Sequence, residues 1–333
     1  MAGLPPGLLA LLILFLPLQI NAQTLKIATL SPDGTSWMRA MREAGDEIEK
    51  RSSGRVKLRF YPGGVMGNDK SVMRKIRVGQ LQGGAVTPGA LASADKDVQV
   101  YSIPFLFRNL GEVEYVRSRM DARLLKGLER KGFVSFGFAE GGFAYFMSRY
   151  PVRTVDDLRA RKVWSPEGDR ITLTAFDALG ISPVTLPLTD VLTALQTGLV
   201  DTVASPAVGA IALQWHTRVK YLTDVPLTYS YGMLVVSNKA FKKLSAKDQS
   251  LVRDVLSRTF ERIDRQNRRD DAQALRTLKR QGIEVISPPP KDLESWRRTV
   301  DTAQQRLERQ GFFSKDVVSR VRKLLADYRH GKR

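Results

Sequence analysis

The stretch 25-LKIATLSPDGTSWMRAMREAGDEIEKRSSGRVKLRFYP-62 decides the fold class. It opens as an apolar strand and then turns through Ser31, Pro32, Asp33 and Gly34, residue types that favour turns. Trp37, Met41, Ala44 and Ile48 follow at spacings of four, three and four, which is the period of a helix with one apolar face. Ser53-Gly54 stops that helix, and 55-RVKLRFYP-62 alternates as a strand does. A second helix is expected over 69–78, and a third strand near 83-GGAVTPG-89 ends in small residues. This alternation of strands and helices predicts a mostly parallel sheet covered on both faces.

The rhythm recurs further on. The strand 133-FVSFGFAE-140 leads into 143-FAYFMS-148. In 158-LRARKVWSPEGDR-170 a basic run enters a short strand, 161-RKVW-164, whose end is expected at Trp164, just before a Ser-Pro-Glu-Gly-Asp turn. A helix near 171–179, a strand at 183–186, a helix at 189–197 and the strand 199-LVDTVAS-205 complete a second α/β unit. From about 245 to 281 the chain is rich in Arg, Asp, Gln and Leu and has neither Pro nor Gly. Read as one helix, this segment is roughly 55 Å long, enough to brace two lobes. Gly282 ends it, the strand 283-IEVIS-287 follows, and charged helices over 293–310 and 315–328 close the chain, leaving His330 in a disordered basic tail.

At 333 residues there is room for two domains, and 43% apolar with 26% charged residues is ordinary for a globular protein. The absence of cysteine excludes disulfides, thiolate catalysis and cysteine metal sites. The apolar run 8–16 is too short to span a bilayer and leads to the small residue Ala22. Residues 1–22 therefore read as a secretory signal cleaved after Ala22, which implies export to the periplasm and no stable membrane insertion afterwards. The n-region departs from the usual pattern in having no Lys or Arg. The formal net charge is +19, and residues 239–333 hold 25 Lys/Arg against 13 Asp/Glu. Acids are interspersed among these bases, which favours a solvated basic face over a nucleic-acid partner.

The sequence offers little chemistry. Its two histidines are His216 and His330, and it has no nucleophile elbow, phosphate loop, dinucleotide fingerprint or zinc-protease motif. No cofactor or metal is implied, and no enzyme: Asp201 and the pair Glu140 and Glu167 have no positioned nucleophile or base beside them. What remains is a group of aromatic and small polar residues at the carboxyl ends of strands, where open α/β sheets hold ligands. Trp37, Thr87, Phe143, Tyr145, Trp164 and Ser205 make up that group. Packing in the core is the commoner fate of any one such residue, but as a set they suggest a cleft.

The chain resembles a known family, the periplasmic solute-binding proteins of TRAP (tripartite ATP-independent periplasmic) transporters of the DctP type. The resemblance rests on 53-SGRVKLRFYPGGVMGND-69, 79-GQLQGGAVTPGAL-91, 103-IPFLF-107, 151-PVRTVDDLRARKVWSP-166 and 194-ALQTGLVDTVASP-206, in that order and spacing. It implies an α/β, two-lobe periplasmic-binding-protein-like fold with hinge strands and a long bracing helix. Lobe I would take 23–140 and about 228–260, lobe II 141–227 and about 261–310, and a basic C-terminal segment 311–333. It also implies capture of a small organic solute in the interlobe cleft by hinge closure, and delivery to a membrane permease. A stand-alone sensor or an efflux accessory protein would share the same mature sequence.

Three positions depart from the family pattern. The family usually places ligand-gripping arginines where this chain has Trp164 and Ala144, and an asparagine where it has Ser205. A buried carboxylate without a cation lacks compensation, so the resemblance and its departures together predict a ligand that is not a typical carboxylate. The expected set is Trp37, Thr87, Glu140, Phe143, Ala144, Tyr145, Trp164, Leu188 and Ser205, with Glu140 and Glu167 leaving room for a cation.

Overall fold

The computed structural model describes residues 22–331. The expected signal segment lies outside the described residues except for Ala22. The first unit runs β1 (Gln23–Thr29), α1 (Ser36–Arg51), β2 (Val56–Tyr61), α2 (Asp69–Arg77), β3 (Gly83–Val86) and α3 (Leu110–Arg130). Next comes the longest strand, β4 (Phe133–Ser148), which leads into α4 (Val155–Arg159), β5 (Trp164–Pro166), α5 (Arg170–Ala178) and β6 (Val184–Leu186). The chain continues through α6 (Val191–Thr197), β7 (Thr202–Ser205), α7 (Ala207–Ala212) and β8 (Tyr221–Thr223). It then crosses back along β9 (Thr228–Ser237) to α8 (Asn238–Phe241), α9 (Ala246–Arg280), β10 (Glu284–Ile286), α10 (Pro290–Arg309) and α11 (Lys315–Arg329).

Local chemistry accounts for the main elements. The Thr35 hydroxyl accepts from the Met38 amide and opens α1, whose Met41, Ala44 and Ile48 are buried against the sheet. Burying such side chains contributes about 1.5–3 kcal/mol each. The helix stops where Ser53 and Gly54 adopt positive φ. Ser245 caps α9 in the same way by accepting from the Asp248 amide, and Asp248 in turn accepts two hydrogen bonds from Arg55.

Expected and observed architecture agree on two lobes, crossing strands and one long helix. α9 has 35 residues. Its first half places Val252, Val255, Leu256, Phe260 and Ile263 in the core around β1, and its second half places Ala274 and Leu278 in the core around β7 and β8. One rigid rod therefore contributes to the cores of both lobes.

The sheet differs from the sequence-based expectation. Its order is β10-β8-β4-β9-β3-β1-β2 with β7 also on β4, and it is mixed rather than mostly parallel. β1 pairs parallel with β2 and β3, but β9 pairs antiparallel with both β3 and β4, as do β7 and β8 with β4. The reason lies in the two crossing strands, which carry the chain in opposite senses between the lobes. The ladder between them shifts register between Glu140 and Gly142. Gly142 is required there: its φ is +93°, and a Cβ would lie 2.9 Å from an Asp271 carboxylate oxygen.

Two smaller expectations are also corrected. Trp164 begins β5 rather than ending a strand, because the pairing with β6 starts at Trp164 opposite Val184. His330 is not in a disordered tail: it follows α11 directly, with its Nδ1 2.7 Å from the Ala326 carbonyl oxygen. α11 itself buries Val317, Val318, Val321, Leu324 and Leu325.

Candidate functional site

A cavity of about 250 Å³ opens where β1 and β3 end, against the middle of β4 and β9. Thr29, Ser31, Trp37, Asp69 and Thr87 form one wall, Ala139, Glu140 and Gly141 the floor, and Leu188 reaches in from the opposite lobe. The lobes approach each other at its rim. Glu167 lies 3.5 Å from the Asn68 amide nitrogen and 3.7 Å from the Lys70 ammonium. A Cβ added to Gly64 would stand 3.3 Å from the Thr189 methyl.

The most unusual group in the wall is Asp69, in the first turn of α2. Its Oδ2 accepts from the Thr87 amide at 3.0 Å and the Thr87 hydroxyl at 2.6 Å. Its Oδ1 is buried and has no hydrogen-bond partner among the described residues. Burial pushes the Asp69 carboxyl above the ordinary carboxylate range, against the two Thr87 hydrogen bonds. No arginine or lysine lines the cavity among the described residues.

Glu140 touches the cavity, but its carboxylate is engaged elsewhere. Both of its oxygens accept from Arg268, at 2.9–3.1 Å, and Tyr229 donates to it at 3.1 Å. The Glu140 amide donates to Asp264, and Asn267 donates to the Glu140 carbonyl. Arg117 completes the network, donating to Tyr229, pairing with Asp264 and Asp121, and donating to the Phe138 carbonyl. Burial works against the Arg117 charge, but Tyr229, Asp121 and Asp264 outweigh it and hold the guanidinium pKa above its ordinary value. This clasp joins α3, α9 and both crossing strands beside the register shift.

Of the nine residues singled out from sequence, the structure brings Trp37, Thr87, Glu140 and Leu188 together around the cavity. The other five do not line it. Phe143 is buried and packs edge-on against Tyr229. Ala144 is buried, and its carbonyl accepts from the Leu227 amide. Tyr145 stands half-buried opposite Ser205 in the β4–β7 ladder. Burial, together with Asp271 and Asp224, raises its phenol pKa. Ser205 donates to the Pro206 carbonyl. Trp164 is 5% exposed, donates its indole N–H to the Leu186 carbonyl at 3.0 Å and meets Trp215 edge-on.

Sequence reasoning missed Thr29, Ser31, Asp69 and Asn267. The only local signal for Asp69 is Asn68-Asp69 at a helix start after the glycine-rich turn, which reads equally as an ordinary cap. Among the described residues no cluster of three or more His, Asp or Glu side chains is placed to hold a metal ion. No helix among them is long and apolar enough to cross a membrane.

Two lobes joined by crossing strands, with a ligand-sized cavity between them, define a solute-binding protein. Residues 27–310 match the model of the DctP family, described as "Bacterial extracellular solute-binding protein, family 7". The chain belongs to that family, the periplasmic solute-binding proteins of TRAP transporters, whose members capture solutes and are not enzymes. It is 27% identical over 72% of its length to a solute-binding protein of Verminephrobacter eiseniae, of which it also covers 72%. It is 24% identical to the 2,3-diketo-L-gulonate-binding periplasmic protein of Escherichia coli, over 80% of this chain and 82% of that one. Among solved structures, the sugar acid binding protein of Advenella mimigardefordensis in complex with galactonate superposes with a TM-score of 0.85. That match has 22% identity and covers 92% of this chain and 98% of that one.

Proposed function

We propose that this protein captures a small organic solute that is neutral or cationic rather than a typical carboxylate, and that Trp37, Asp69, Thr87 and Leu188 hold it. The observation that carries this reading is the cavity wall, which joins largely apolar surface to a buried carboxylate oxygen with no donor and has no guanidinium or ammonium. A carboxylate ligand placed there would meet Asp69 without a compensating cation, a loss of several kcal/mol (about 3 or more). A hydroxyl, amide or ammonium donor would satisfy Asp69 Oδ1, while an apolar or ring face packed on Trp37 and Leu188. The family pattern that the sequence resembles places two arginines and an asparagine where this chain has Trp164, Ala144 and Ser205.

Closure across Glu167, Asn68 and Lys70 would seal the solute between the lobes for delivery to the membrane permease subunits of a TRAP transporter. Cleavage after Ala22 would release the protein into the periplasm. No cofactor is required in this reading, since capture needs none.

The reading is tested by titrating the purified protein with dicarboxylates, sugar acids, neutral ring compounds and amines, using calorimetry and tryptophan fluorescence. Trp164, Trp215 and Trp296 are buried and Trp37 is half-buried in the wall, so the fluorescence change should come from Trp37 and vanish in Trp37→Phe. Asp69→Ala should weaken binding of a donor-bearing solute by about tenfold or more, the range of a lost hydrogen bond to a charged group. Tight dicarboxylate binding that Asp69→Ala leaves unchanged or improves would refute the proposed ligand class.

A further inference from the structure

A second concave site lies away from the cleft, between the loop 103–108, α10 and α11. It is a cavity of about 420 Å³ whose lining includes Arg108, Arg297, Arg322 and Arg329, with Asp301 as the one carboxylate. Arg329 is fixed at its wall by two bonds to Glu112, at 2.7 and 2.9 Å, and one to the Leu106 carbonyl. Arg322 is held by Glu308 at 2.7 Å and reaches Asp301 only at 3.4–3.5 Å, beyond a good hydrogen bond. Arg108 and Arg297 make no ion pair with any described residue. The Arg297 guanidinium instead stands 6.0 Å from the Phe105 ring centre.

Glu308 and Glu112 offset Arg322 and Arg329, so the uncompensated charge in the concavity is that of Arg108 and Arg297 against Asp301, and low-dielectric walls concentrate its field. The loop that closes one side is also strained. Phe105 has φ +58°, uncommon for a large side chain, and its amide is tied to the Leu227 carbonyl at 2.7 Å. Leu227 in turn donates to Ala144 on the crossing strand β4. The walls come from different parts of the fold, since α10 packs on α5 and α11 packs on α3. An occupant would therefore add to the Arg322–Glu308 pair, which joins α11 to α10, and to the Arg329 bond to the Leu106 carbonyl, which joins α11 to the loop.

We infer that this cavity binds a multiply charged oxyanion of the phosphate type, free or carried on a small phosphomonoester. Phosphate oxygens match the planar forks of arginine, and Arg108 and Arg297 supply the donors, since Glu112 and Glu308 occupy Arg329 and Arg322. The site is independent of the solute cleft and of the ligand proposed for it.

Calorimetry and thermal unfolding of the full protein with inorganic phosphate, and in a second arm with glycerol 3-phosphate, test this against chloride at equal ionic strength. Saturable binding of one anion per chain and a rise in Tm are expected with at least one of the two, and the tighter arm identifies the source. The double variant R108E/R297E should weaken that binding by at least about tenfold. Arg298→Glu is the control for general charge, because Arg298 lies outside the cavity and pairs with Glu294; it should leave binding unchanged. Failure of both anions to bind more tightly than chloride would overturn the proposal, as would an R298E loss as large as that of the double variant.

Discussion

Replacing Arg268 with methionine removes the partner of the most deeply buried carboxylate beside the hinge. The Glu140 side chain is 1% exposed, and Arg268 supplies three of its hydrogen bonds. Removing one member of a buried pair costs about 3–5 kcal/mol, because the other charge stays buried without compensation. Tyr229 still donates to Glu140, and Arg117 remains 3.8 Å away, so the lower end applies, about 3 kcal/mol. The Arg268 contact with Glu114, which is 58% exposed, adds little. With an unfolding entropy of about 2.1 cal/mol/K per residue over roughly 310 residues, this loss corresponds to a fall in Tm of about 5 °C. Thermal and urea denaturation read it directly. The double variant E140Q/R268M provides the decisive comparison: a neutral glutamine needs no cation, so the double should be more stable than the sum of the single losses by about 2 kcal/mol. A loss below about 1 kcal/mol for R268M, or additive behaviour in the double, would refute the view that this pair clamps the crossing strand.

Two further outcomes follow from the same structure. Burial raises the Asp271 carboxyl pKa to about 6, with Glu140 adding to the rise and the Val208 and Ala207 amides opposing it. The folded state therefore holds this proton more tightly than the unfolded chain, so the associated stability is present below the ordinary carboxylate range and lost as pH rises through about 6. Asp271→Asn keeps an acceptor for the Val208 amide and cannot ionise. It should be more stable than the native protein by about 1–2 kcal/mol at pH 7.5 and no more stable at about pH 4, and equal urea midpoints at both values would contradict this. Trp164→Ala should cost about 3–5 kcal/mol from the cavity left against Trp215 and the Leu186 carbonyl left without its donor. A stable W164A protein that merely loses its solute would instead place Trp164 in the binding surface.

Much of the architecture was legible because short-range patterns carry it. The stripe from Trp37 to Ile48 sets α1, and the run between Ser245 and Gly282, free of Pro and Gly, sets α9 almost residue for residue. The resemblance motifs supplied the two lobes and the departures at Ala144, Trp164 and Ser205. The site was less legible. Thr87 and Trp37 are found where strand-end reasoning placed them, but Asp69 gave only the signal of an ordinary helix start, because its character comes from a neighbour, Thr87, that folding brings against it.

By itself, the sequence determined many of the elements, α1 and α9 among them but not α3, β8 or β9, together with the lack of thiol chemistry, while the resemblance implied the departures at the family's gripping positions. Periodicity, caps and composition are local properties, and they survive without knowledge of the fold. Only the tertiary structure decided that β4 and β9 run antiparallel through a mixed sheet, that Arg268 engages Glu140, and that Trp164 lies on Trp215 beneath Leu186. Each of these depends on which face a side chain takes and which distant segment meets it. In a strand a shift of one residue reverses that face, so the pairing of whole elements settles it.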